Sequence, residues 1–515
     1  MNSSIIYTIT AALLYIMIAK YDIHMFQLSS YRYNRYFRWL VPGNIISPKR
    51  GFALAALIAS FFSGYYGPGI LAIVTVFTFI SSLREKFKTP LVFTMRVKRL
   101  FATNIILFIL SATMALLFAE RWATLLVGLL LLFSNFIMLM ANLINTPVEK
   151  AVNRYYYNDA KKILASHKNL IIIGVTGSFG KTSTKNYLTS ILAEKYNVLV
   201  TPGNFNTLLG VVRTVREHLR PYHQVFIVEM GAKQRGDIKE ICDLVHPSIG
   251  IVTSVGEMHL ETFKCVENIQ KTKFELIDSL PSQGLGIVNI DSPLIKSYNH
   301  NSRCRITTYA VEQPADYRAQ NVIYGANGLS FTLSTNGEQI ESRLLGSGNL
   351  LNMLAAIAVA DHLGVPTNKQ KSAIARLQPV EHRLSMRRSG NVTVLDDAYN
   401  SNPTGAKMAL EVLRNFAVNE GNKRIVITPG FVEMGTRQYD ANKELGHMIA
   451  QSCDYAIVVN TTNREPIARG IAEGGLSQEK LFLADNLIQA HAHLATILHP
   501  GDVVLYENDL PDNFK

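Results

Sequence analysis

The sequence predicts a helical membrane segment followed by two α/β domains. Three observations lead to this fold class: long apolar runs in the first 150 residues, a strand–helix alternation from about residue 169, and a second such series from about residue 391. The chain has 515 residues, which is too long for one hydrophobic core. We therefore expect a transmembrane region over 1–149, a central α/β domain over 150–380 and a C-terminal α/β domain over 381–515.

The net charge limits the classes of binding partner, and the cysteine spacing indicates the redox state of the thiols. The formal net charge is +12, but much of it lies near the apolar runs, where it fits the cytoplasmic excess of basic residues and anionic lipid headgroups. We therefore expect the lipid bilayer and nucleotide phosphates as anionic partners, and no nucleic acid. The cysteines lack metal-ligand spacing, which predicts free thiols in a reducing cytosol: Cys242, Cys265, Cys304 and Cys453.

The membrane segment contains several apolar stretches, and we expect about five helices: 3–19, 51–65, 68–83, 100–118 and 122–144. The last two are long enough to cross a bilayer, whereas the second and third are either two short spans or a re-entrant pair. The first lacks a cleavage site and is expected to be a retained anchor. With the amino terminus outside, five spans place every basic connecting segment in the cytoplasm. The expected location is the cytoplasmic membrane, multi-pass, with the α/β domains in the cytoplasm.

The remaining chain alternates between short apolar runs and amphipathic helical patterns, which predicts mostly parallel sheets covered by helices. In the central domain, strands are predicted over 170–175, 224–230, 249–254 and 285–290, with helices over 181–195 and 206–219. In the C-terminal domain, strands are predicted over 391–396, 424–428, 454–459 and 502–506, with helices over 404–416 and 438–452.

A phosphate-binding loop is predicted at 174–184, with the sequence GVTGSFGKTST between a strand and a helix. Glycines allow the backbone to wrap an anion, and the helix N-terminus offers unpaired N–H groups. Lys181 is expected to reach the terminal phosphates of ATP, and the Thr182 hydroxyl to bind Mg²⁺. A chance Gly-Lys-Thr is the alternative, and the strand-then-helix context opposes it. The other loop residues expected to bind nucleotide are Gly177, Ser178, Gly180 and Ser183.

Further motifs follow the loop in a fixed order: GNFNTLLG at 203–210, VEMGA at 228–232, GEMHLETF at 256–263, KTKFEL at 271–276, GNLLN at 348–352 and DDAYNSNP at 396–403. Together with the loop they resemble the Mur ligases, the ATP-dependent enzymes that build the peptidoglycan stem peptide. Within that family the chain is most similar to the member that adds D-alanyl-D-alanine to the tripeptide. The resemblance implies a central P-loop domain and a Rossmann-like C-terminal domain.

A metal site is predicted where two strands end. Glu229 ends one predicted strand and His259 follows another, and α/β enzymes bind ligands at this edge of the sheet. The two side chains are expected to share Mg²⁺ with Thr182 and the phosphates; a surface acid and a loop histidine are the alternatives. The resemblance also implies that Lys273 is carbamylated by CO₂ and orients the metal. That reaction needs a depressed lysine pKa, and a solvated helix lysine is the alternative.

The resemblance also assigns the nucleotide contacts. Arg383, in EHRLS at 381–385, matches the arginine that reaches the phosphates, and Asp397 matches the acid that holds the ribose. The asparagines expected in the same cleft are Asn349, Asn352, Asn400 and Asn402. Buried asparagines are elsewhere usually caps of turns or helices, so these four rest on resemblance alone.

The implied reaction forms an amide. A substrate carboxylate attacks the γ-phosphate of ATP to give an acyl phosphate and ADP, and an amine then displaces phosphate. The catalytic groups expected from the motifs position reactants and neutralise charge: Lys181, Lys273, His259 and Arg383. The expected partners are a small-molecule or lipid-linked envelope precursor and an amino acid or dipeptide amine.

Several segments depart from the family. The segment before residue 150 takes the place of the domain that grips uridine diphosphate. The family's GxHN reads GSGN at 346–349, and its lysine-containing KGS motif is replaced by ENDLPDNF at 507–514. TPGFVEMG at 428–435 also differs from the usual sequence. The nucleotide chemistry is therefore expected to be retained and substrate recognition to be altered.

Three other functions are compatible with parts of the sequence. A capsular poly-γ-glutamate-type ligase also joins a membrane segment to a Mur-like core. A non-catalytic ATP-binding membrane scaffold is disfavoured because the loop, metal and linker residues are all present. ATP-coupled transport is disfavoured because no charged residues lie inside the predicted spans.

Overall fold

The computed structural model describes residues 2–41, 51, 58, 67–84, 87, 89–118, 123–325, 327–399, 401–416 and 418–508. The chain forms two compact units, Met1–Arg154 and Tyr155–Leu510. The domain boundaries expected from the sequence, after residues 149 and 380, remain predictions. The cysteines are free thiols, as predicted.

The first unit is helical within the described residues. Its helices are Asn2–Leu28, Tyr33–Leu40, Gly67–Arg84, Met95–Phe118, Ala123–Leu132 and Ser134–Ser166, the last of which continues into the second unit. The first helix extends beyond the predicted stretch 3–19 and buries Asp22, whose Oδ2 accepts the Ser134 hydroxyl at 2.6 Å. Asp22 lies beyond the predicted stretch 3–19, so it does not bear on the argument against transport, which concerned the predicted spans.

Few of the described helices have the length and apolar composition of a membrane span. Met95–Ala115 does, and Leu126–Leu132 with Ser134–Ser166, bent by 76°, makes a second if the pair is one span. The predicted stretch 68–83 lies within the helix Gly67–Arg84, of which Ala72–Ser81 is a short apolar part, and most of 51–65 lies outside the described residues. The five predicted spans are therefore not confirmed.

The central domain is built on a nine-stranded sheet in the order β2-β3-β1-β4-β5-β6-β7-β8-β9. Neighbouring strands from β2 through β7 run parallel, and β8 is antiparallel to both of its neighbours, β7 and β9. The strands are β1 Ile171–Thr176, β2 Val198–Val200, β3 Val225–Glu229, β4 Ile249–Val252, β5 Leu285–Asn289, β6 Arg305–Ala310, β7 Tyr317–Gly325, β8 Gly328–Leu333 and β9 Gln339–Ser342. The four predicted strands are confirmed.

Helices cover both faces of this sheet because the strand side chains are apolar and buried on both sides. The helices are Lys181–Leu192, Leu208–His218, Asp237–Val245, Leu260–Phe263, Val266–Asp278, Pro293–Lys296, Gly346–His362 and Thr367–Ala375. The antiparallel part was not predicted. Its last two strands alternate buried and partly exposed residues, a weaker signal than a continuous apolar run.

The C-terminal domain is a six-stranded sheet in the order β10-β11-β15-β12-β13-β14, parallel except for β10. Its strands are β10 Ser385–Ser389, β11 Val392–Asp397, β12 Arg424–Thr428, β13 Tyr455–Val459, β14 Leu481–Ala484 and β15 Val503–Glu507. Its helices are Pro403–Asn415, Gln438–Ser452, Arg464–Glu473 and Leu487–Ile497. The strands and helices predicted for this domain are confirmed. Parallel strands end at one edge, which brings the carboxyl ends of β11, β15 and β12 together.

Candidate active site

The loop after β1 is held rigidly by the loop after β4. Gly180 has φ +80° and precedes the helix that begins at Lys181. Gly177 has φ +153°, and a Cβ there would lie 2.0 Å from Thr253 Oγ1. The amides of Ser178 and Phe179 donate to the carbonyl and hydroxyl oxygens of Ser254 at 2.9 and 2.8 Å. The sequence therefore needs glycine at both positions, and the loop leads into a helix N-terminus, where unpaired N–H groups favour an anion.

Lys181 lies over this loop. Its Nζ donates to the carbonyl oxygens of Gly177 at 2.7 Å and Ser178 at 3.2 Å. Burial lowers the pKa of Lys181 to about 8; Glu229 opposes this shift and Arg383 adds to it. A phosphate group beside Nζ restores the charged form, so the site favours an anionic ligand.

Glu229, at the end of β3, accepts hydrogen bonds from three side chains. Thr182 Oγ1 donates to its Oε2 at 3.1 Å, Asn206 Nδ2 to its Oε1 at 3.1 Å, and Lys185 Nζ lies 3.0 Å from Oε2. Burial alone would raise the pKa of Glu229, but Lys185 and Lys181 hold it below its usual range. The sequence reasoning missed Lys185. Its position one helical turn after Lys181 was the available signal.

The oxygens of Thr182 and Glu229 fit a Mg²⁺ ion. They lie 3.1 Å apart, and Mg²⁺ prefers one or two protein oxygens completed by water and phosphate. Within the part of the chain that is described, no three His, Cys, Asp or Glu side chains come together as a metal cage. These two residues would hold Mg²⁺ beside the nucleotide, where it supplies charge neutralisation for the phosphates.

The His259 side chain contacts a residue of the C-terminal domain. Its Nδ1 forms a short hydrogen bond with Oε2 of Glu433, and both residues have positive φ, +53° and +61°. The Glu261 amide also donates to the Glu433 carbonyl at 3.3 Å. A carboxylate on Nδ1 leaves Nε2 of the ring for a metal. The sequence did not reveal this partner, and the metal role of His259 remains a prediction.

Lys273 is buried in the helix Val266–Asp278, with 4% of its surface exposed. Burial lowers the pKa of Lys273 to about 7, and the charge of Lys181 adds to the shift. The amine is therefore substantially neutral at physiological pH, which is the condition that reaction with CO₂ requires. In its charged form Lys273 also contributes to the lowered pKa of His259, after burial, so it interacts electrostatically with both His259 and the loop residue Lys181. Carbamylation itself remains a prediction.

Arg383 and Asp397 lie together at the linker between the domains. The guanidinium of Arg383 stacks 4.1 Å over the Tyr399 ring. Asp397 Oδ1 accepts the Leu384 amide at 2.9 Å. Burial raises the pKa of Asp397 to about 6, and Arg383 opposes that shift. The charge of Arg383 also adds to the lowering of the Lys181 pKa by burial, so the linker residue interacts electrostatically with the loop.

The predicted asparagines have different environments. Asn352 Oδ1 accepts the Thr184 hydroxyl at 3.1 Å and lies beside Gly180, where a Cβ would approach it to 2.4 Å. Asn349 is engaged by the Tyr187 hydroxyl at 2.8 Å. Asn402 caps the helix Pro403–Asn415 by accepting two backbone amides. Asn400 lies outside the described residues, and the nucleotide roles of the other three remain predictions.

The departure at GSGN has a packing explanation. A Cβ at Gly348 would lie 3.1 Å from Met408 Sδ, and a Cβ at Gly346 would lie 2.8 Å from Val412 Cγ2. A side chain at 348 would therefore have to displace the Met408 side chain of the helix Pro403–Asn415.

Two family models match most of this α/β unit: the Mur ligase middle domain over residues 175–360 and the Mur ligase glutamate ligase domain over residues 382–506. A UDP-N-acetylmuramoyl-tripeptide–D-alanyl-D-alanine ligase of Mycobacterium tuberculosis (strain ATCC 25618 / H37Rv) is 32% identical over 65% of this chain and 70% of its own length. The chain belongs to the Mur ligase family. Members of this family are ATP-dependent, ADP-forming amide ligases.

Other Mur ligases agree with this assignment. The enzyme of the same name from Bacillus subtilis (strain 168) is 30% identical over 54% of this chain, which spans 60% of that enzyme. The structure of MurF ligase from Thermotoga maritima in complex with ADP matches 69% of this chain and 80% of that one, with a TM-score of 0.61 and 25% identity. The family resemblance inferred from the motifs is therefore confirmed. The helical unit lies outside both family models.

Proposed function

We propose that this Mur ligase joins an amine to a carboxylate of a cell-envelope precursor, with D-alanyl-D-alanine or a related dipeptide as the amine. The observation that carries the proposal is that three features meet at the phosphate loop. Lys181 lies on the loop, Thr182 donates to Glu229, and the charge of Arg383 adds to the lowering of the Lys181 pKa by burial. The names of the relatives support the D-alanyl-D-alanine type. They leave the precursor open, because the helical unit matches none of the family models.

The residues act by positioning and neutralising charge. Backbone amides of the loop and Lys181 hold the terminal phosphates of ATP, and Arg383 adds a second cation from the linker. An oxygen of the substrate carboxylate attacks the γ-phosphorus and the bond to the β-phosphate oxygen breaks, giving the acyl phosphate and ADP. The amine nitrogen then attacks the acyl carbon, phosphate leaves, and the amine loses a proton. Asp397 is proposed to hold the ribose, and Asn352 to lie near the adenine.

Magnesium and Lys273 complete the proposed site. Thr182 and Glu229 would hold one ion, and Nε2 of His259 is available for another. A carbamate on Lys273 would replace a buried neutral amine by an anion, which the charge of Lys181 stabilises. The proposal predicts that CO₂-free buffer lowers ligase activity and that bicarbonate restores it. Mass spectrometry under native conditions should find 44 Da on wild type, about the mass of CO₂, and none on Lys273→Ala.

We also propose that the helical unit holds the enzyme at the cytoplasmic membrane and that the precursor is lipid-linked. The span Met95–Ala115 and the basic residues near the apolar helices support this location. Fractionation of cells expressing the full chain tests it. The protein should stay in the membrane pellet after alkaline carbonate washing, and recovery in the soluble fraction would contradict the location without touching the chemistry.

The central test is ADP release by purified protein. Wild type supplied with MgATP, an envelope precursor and D-alanyl-D-alanine should release ADP only when both substrates are present, and Lys181→Ala should lose this activity at least 100-fold. The exposed Lys168 provides the matched control, since Lys168→Ala should retain wild-type activity. Glutamate as the amine tests the capsule-type alternative. If no pair of substrates stimulates ADP release, the ligase proposal fails and the scaffold function gains support.

A further inference from the structure

One buried lysine of the helix after the phosphate loop has no part in the proposed reaction. Lys185 belongs to the helix Lys181–Leu192 and is 2% exposed. It follows Thr182 by three residues, so the two side chains lie on the same face of the helix. A lysine is rarely buried so completely unless its charge is paired. The partners of Lys185 therefore indicate what it does.

The Lys185 ammonium group makes three polar contacts. Its Nζ donates to the carbonyl oxygens of Thr201 at 3.0 Å and Gly203 at 2.8 Å, and it lies 3.0 Å from Oε2 of Glu229. An ammonium group has three N–H donors, so these partners use all of them. Lys181 differs, because the structure shows two acceptors for its Nζ, both carbonyl oxygens of the phosphate loop. Lys185 is therefore not available to a phosphate group and acts through its protein partners.

Both oxygens of the Glu229 carboxylate are held by donors. Oε2 accepts the Thr182 hydroxyl at 3.1 Å and lies beside Lys185, and Oε1 accepts Asn206 Nδ2 at 3.1 Å. A carboxylate has about four lone-pair sites, so these three donors leave one of them for the proposed Mg²⁺ ion. Loss of a donor would free the carboxylate to rotate. The orientation of the proposed metal ligand thus depends on Lys185.

Two further contacts fasten the loop 201–206 to the end of β3. The Thr201 hydroxyl oxygen accepts the Glu229 amide at 3.1 Å, and the Gly231 amide donates to the Asn206 carbonyl at 2.7 Å. A Cβ at Gly231 would lie 2.8 Å from Asn206 Cγ, so the loop approaches this strand end closely. Because the loop also supplies partners of the Glu229 side chain and of its lysine, a movement of the loop displaces the carboxylate.

We propose that Lys185 is a positioning residue for the metal, which fixes the Glu229 carboxylate and couples its orientation to the loop 201–206. This inference rests on the proposed ligase function and adds a residue that acts on the metal without touching the metal or the nucleotide. Coupling between two sites is reciprocal. Binding of the ion should therefore order the loop, and an ordered loop should raise the affinity for the ion.

Separate measurements of nucleotide and metal binding test this role in the full-length protein. In Lys185→Gln the side chain keeps two N–H donors but is shorter and uncharged. Its affinity for ADP without metal should stay close to that of wild type, because Lys185 has no donor for phosphate. Its affinity for Mn²⁺ at saturating ADP should fall about 10–100-fold, as expected for a residue that orients a metal ligand. Calorimetry measures the first affinity, and electron paramagnetic resonance of free Mn²⁺ measures the second.

Hydrogen exchange tests the coupling to the loop. In wild type with ADP, addition of Mg²⁺ should slow the exchange of the amides of 203–206 by about 5-fold or more, and Lys185→Gln should lose this metal-dependent slowing. Lys195 provides the matched control. It also donates to two carbonyl oxygens, of Leu363 and Gly364 at 2.9 Å each, but it is exposed and follows the C-terminal end of the helix. Lys195→Met should match wild type in every measurement.

A second variant keeps the test decisive if Lys185→Gln does not fold. Lys185→Arg retains the buried charge, but a planar guanidinium cannot direct three bonds from one nitrogen, so its Mn²⁺ affinity should again fall more than its ADP affinity. Wild-type Mn²⁺ affinity in the folded variants, an equal fall of both affinities, or loop exchange in wild type that does not respond to Mg²⁺ would overturn the proposal. Because every readout is binding or exchange, these outcomes are distinct from a failure of amide formation.

Discussion

At the scale of single residues, the role of a buried charged side chain depends on an ion-pair partner that the sequence does not reveal. Glu229 looks in the sequence like a metal ligand, and in the structure it is also the partner of the buried Lys185 at 3.0 Å. Burial of such an ion pair costs folding free energy, and removal of one partner costs far more because it leaves the other charge buried and uncompensated. The same residue therefore serves both the stability of the loop region and the proposed metal site.

Removal of Lys185 should destabilise the protein strongly. Lys185→Met leaves Glu229 buried without its main cation, which should cost about 3–5 kcal/mol in the free energy of unfolding. Lys239 offers a matched control, since it forms an exposed pair with Asp243 at 2.8 Å. Urea denaturation of Lys239→Met should match wild type. Equal effects of the two substitutions would show that burial does not determine the contribution of the Lys185 pair.

Lys273 should make stability depend on pH. Its folded pKa of about 7 lies below the value of about 10.4 in an unfolded chain, so the unfolded state binds more protons between these values. Wild-type stability should therefore rise with pH across this window. In CO₂-free buffer, Lys273→Met should be more stable than wild type at pH 6.5, on the order of 3 kcal/mol, with the gap closing towards pH 10. A gap that is constant with pH would contradict the buried, neutral amine.

At the scale of secondary-structure elements, a residue that the motifs assigned to nucleotide binding also has a structural role. Asn402, in the segment DDAYNSNP, was expected to line the nucleotide cleft. In the structure its side chain accepts the amides of Thr404 and Gly405 at 3.1 Å and starts the helix Pro403–Asn415. Proline follows at the first helical position, where its missing N–H costs nothing. The motif therefore includes a helix start signal.

Substitutions at Asn402 can separate capping from nucleotide binding. Asn402→Ala should lose about 1 kcal/mol in the free energy of unfolding, and Asn402→Ser, which retains a capping oxygen, should lose much less. If capping is the main role, ATP affinity should follow stability and remain near wild type in Asn402→Ser. Fluorescence titration with an ATP analogue checks this. A Ser variant that is stable but binds ATP poorly would instead give the amide group a direct nucleotide contact.

At the scale of the α/β unit, the two sheets meet through polar contacts near the proposed metal site. Glu433 bonds His259, and Arg437 lies 3.5 Å from Glu257. Both pairs join the loop 256–263 of the central domain to the segment after β12. Because a carboxylate on one ring nitrogen fixes the tautomer of a metal-binding histidine, the C-terminal domain controls how His259 presents Nε2.

This contact predicts that metal affinity depends on a residue that does not touch the metal. If His259 is a ligand, Glu433→Ala should weaken Mn²⁺ binding about 10–100-fold, and Glu433→Gln should recover part of it because its amide oxygen still accepts the Nδ1 proton. Electron paramagnetic resonance of free Mn²⁺ measures this without turnover. Glu420→Ala is the matched control. Unchanged affinity in Glu433→Ala would remove Glu433 from the metal site.

The sequence by itself determined the local features of this protein. Apolar runs of strand length, amphipathic helices and the glycines of the phosphate loop are set by neighbours in the chain, so most of the parallel strands and the loop were predicted with nearly correct bounds. The parallel strands β2, β6 and β14 were not predicted. The order of the motifs indicated the family. The antiparallel β7–β9 were missed because half-exposed strands carry a weaker pattern, and the burial of Asp22 in the helical unit was not foreseen.

Only the tertiary structure decided which charges face one another. Lys185 with Glu229, Glu433 with His259, and Asp397 with Glu507 are separated by 44, 174 and 110 residues. Their proximity follows from the order of strands in each sheet and from the contact between the two sheets, and neither is encoded in local periodicity. The phosphate loop was therefore evident from the sequence, whereas the charged partners of its lysines and the burial of Glu507 beside Asp397 depend on long-range packing.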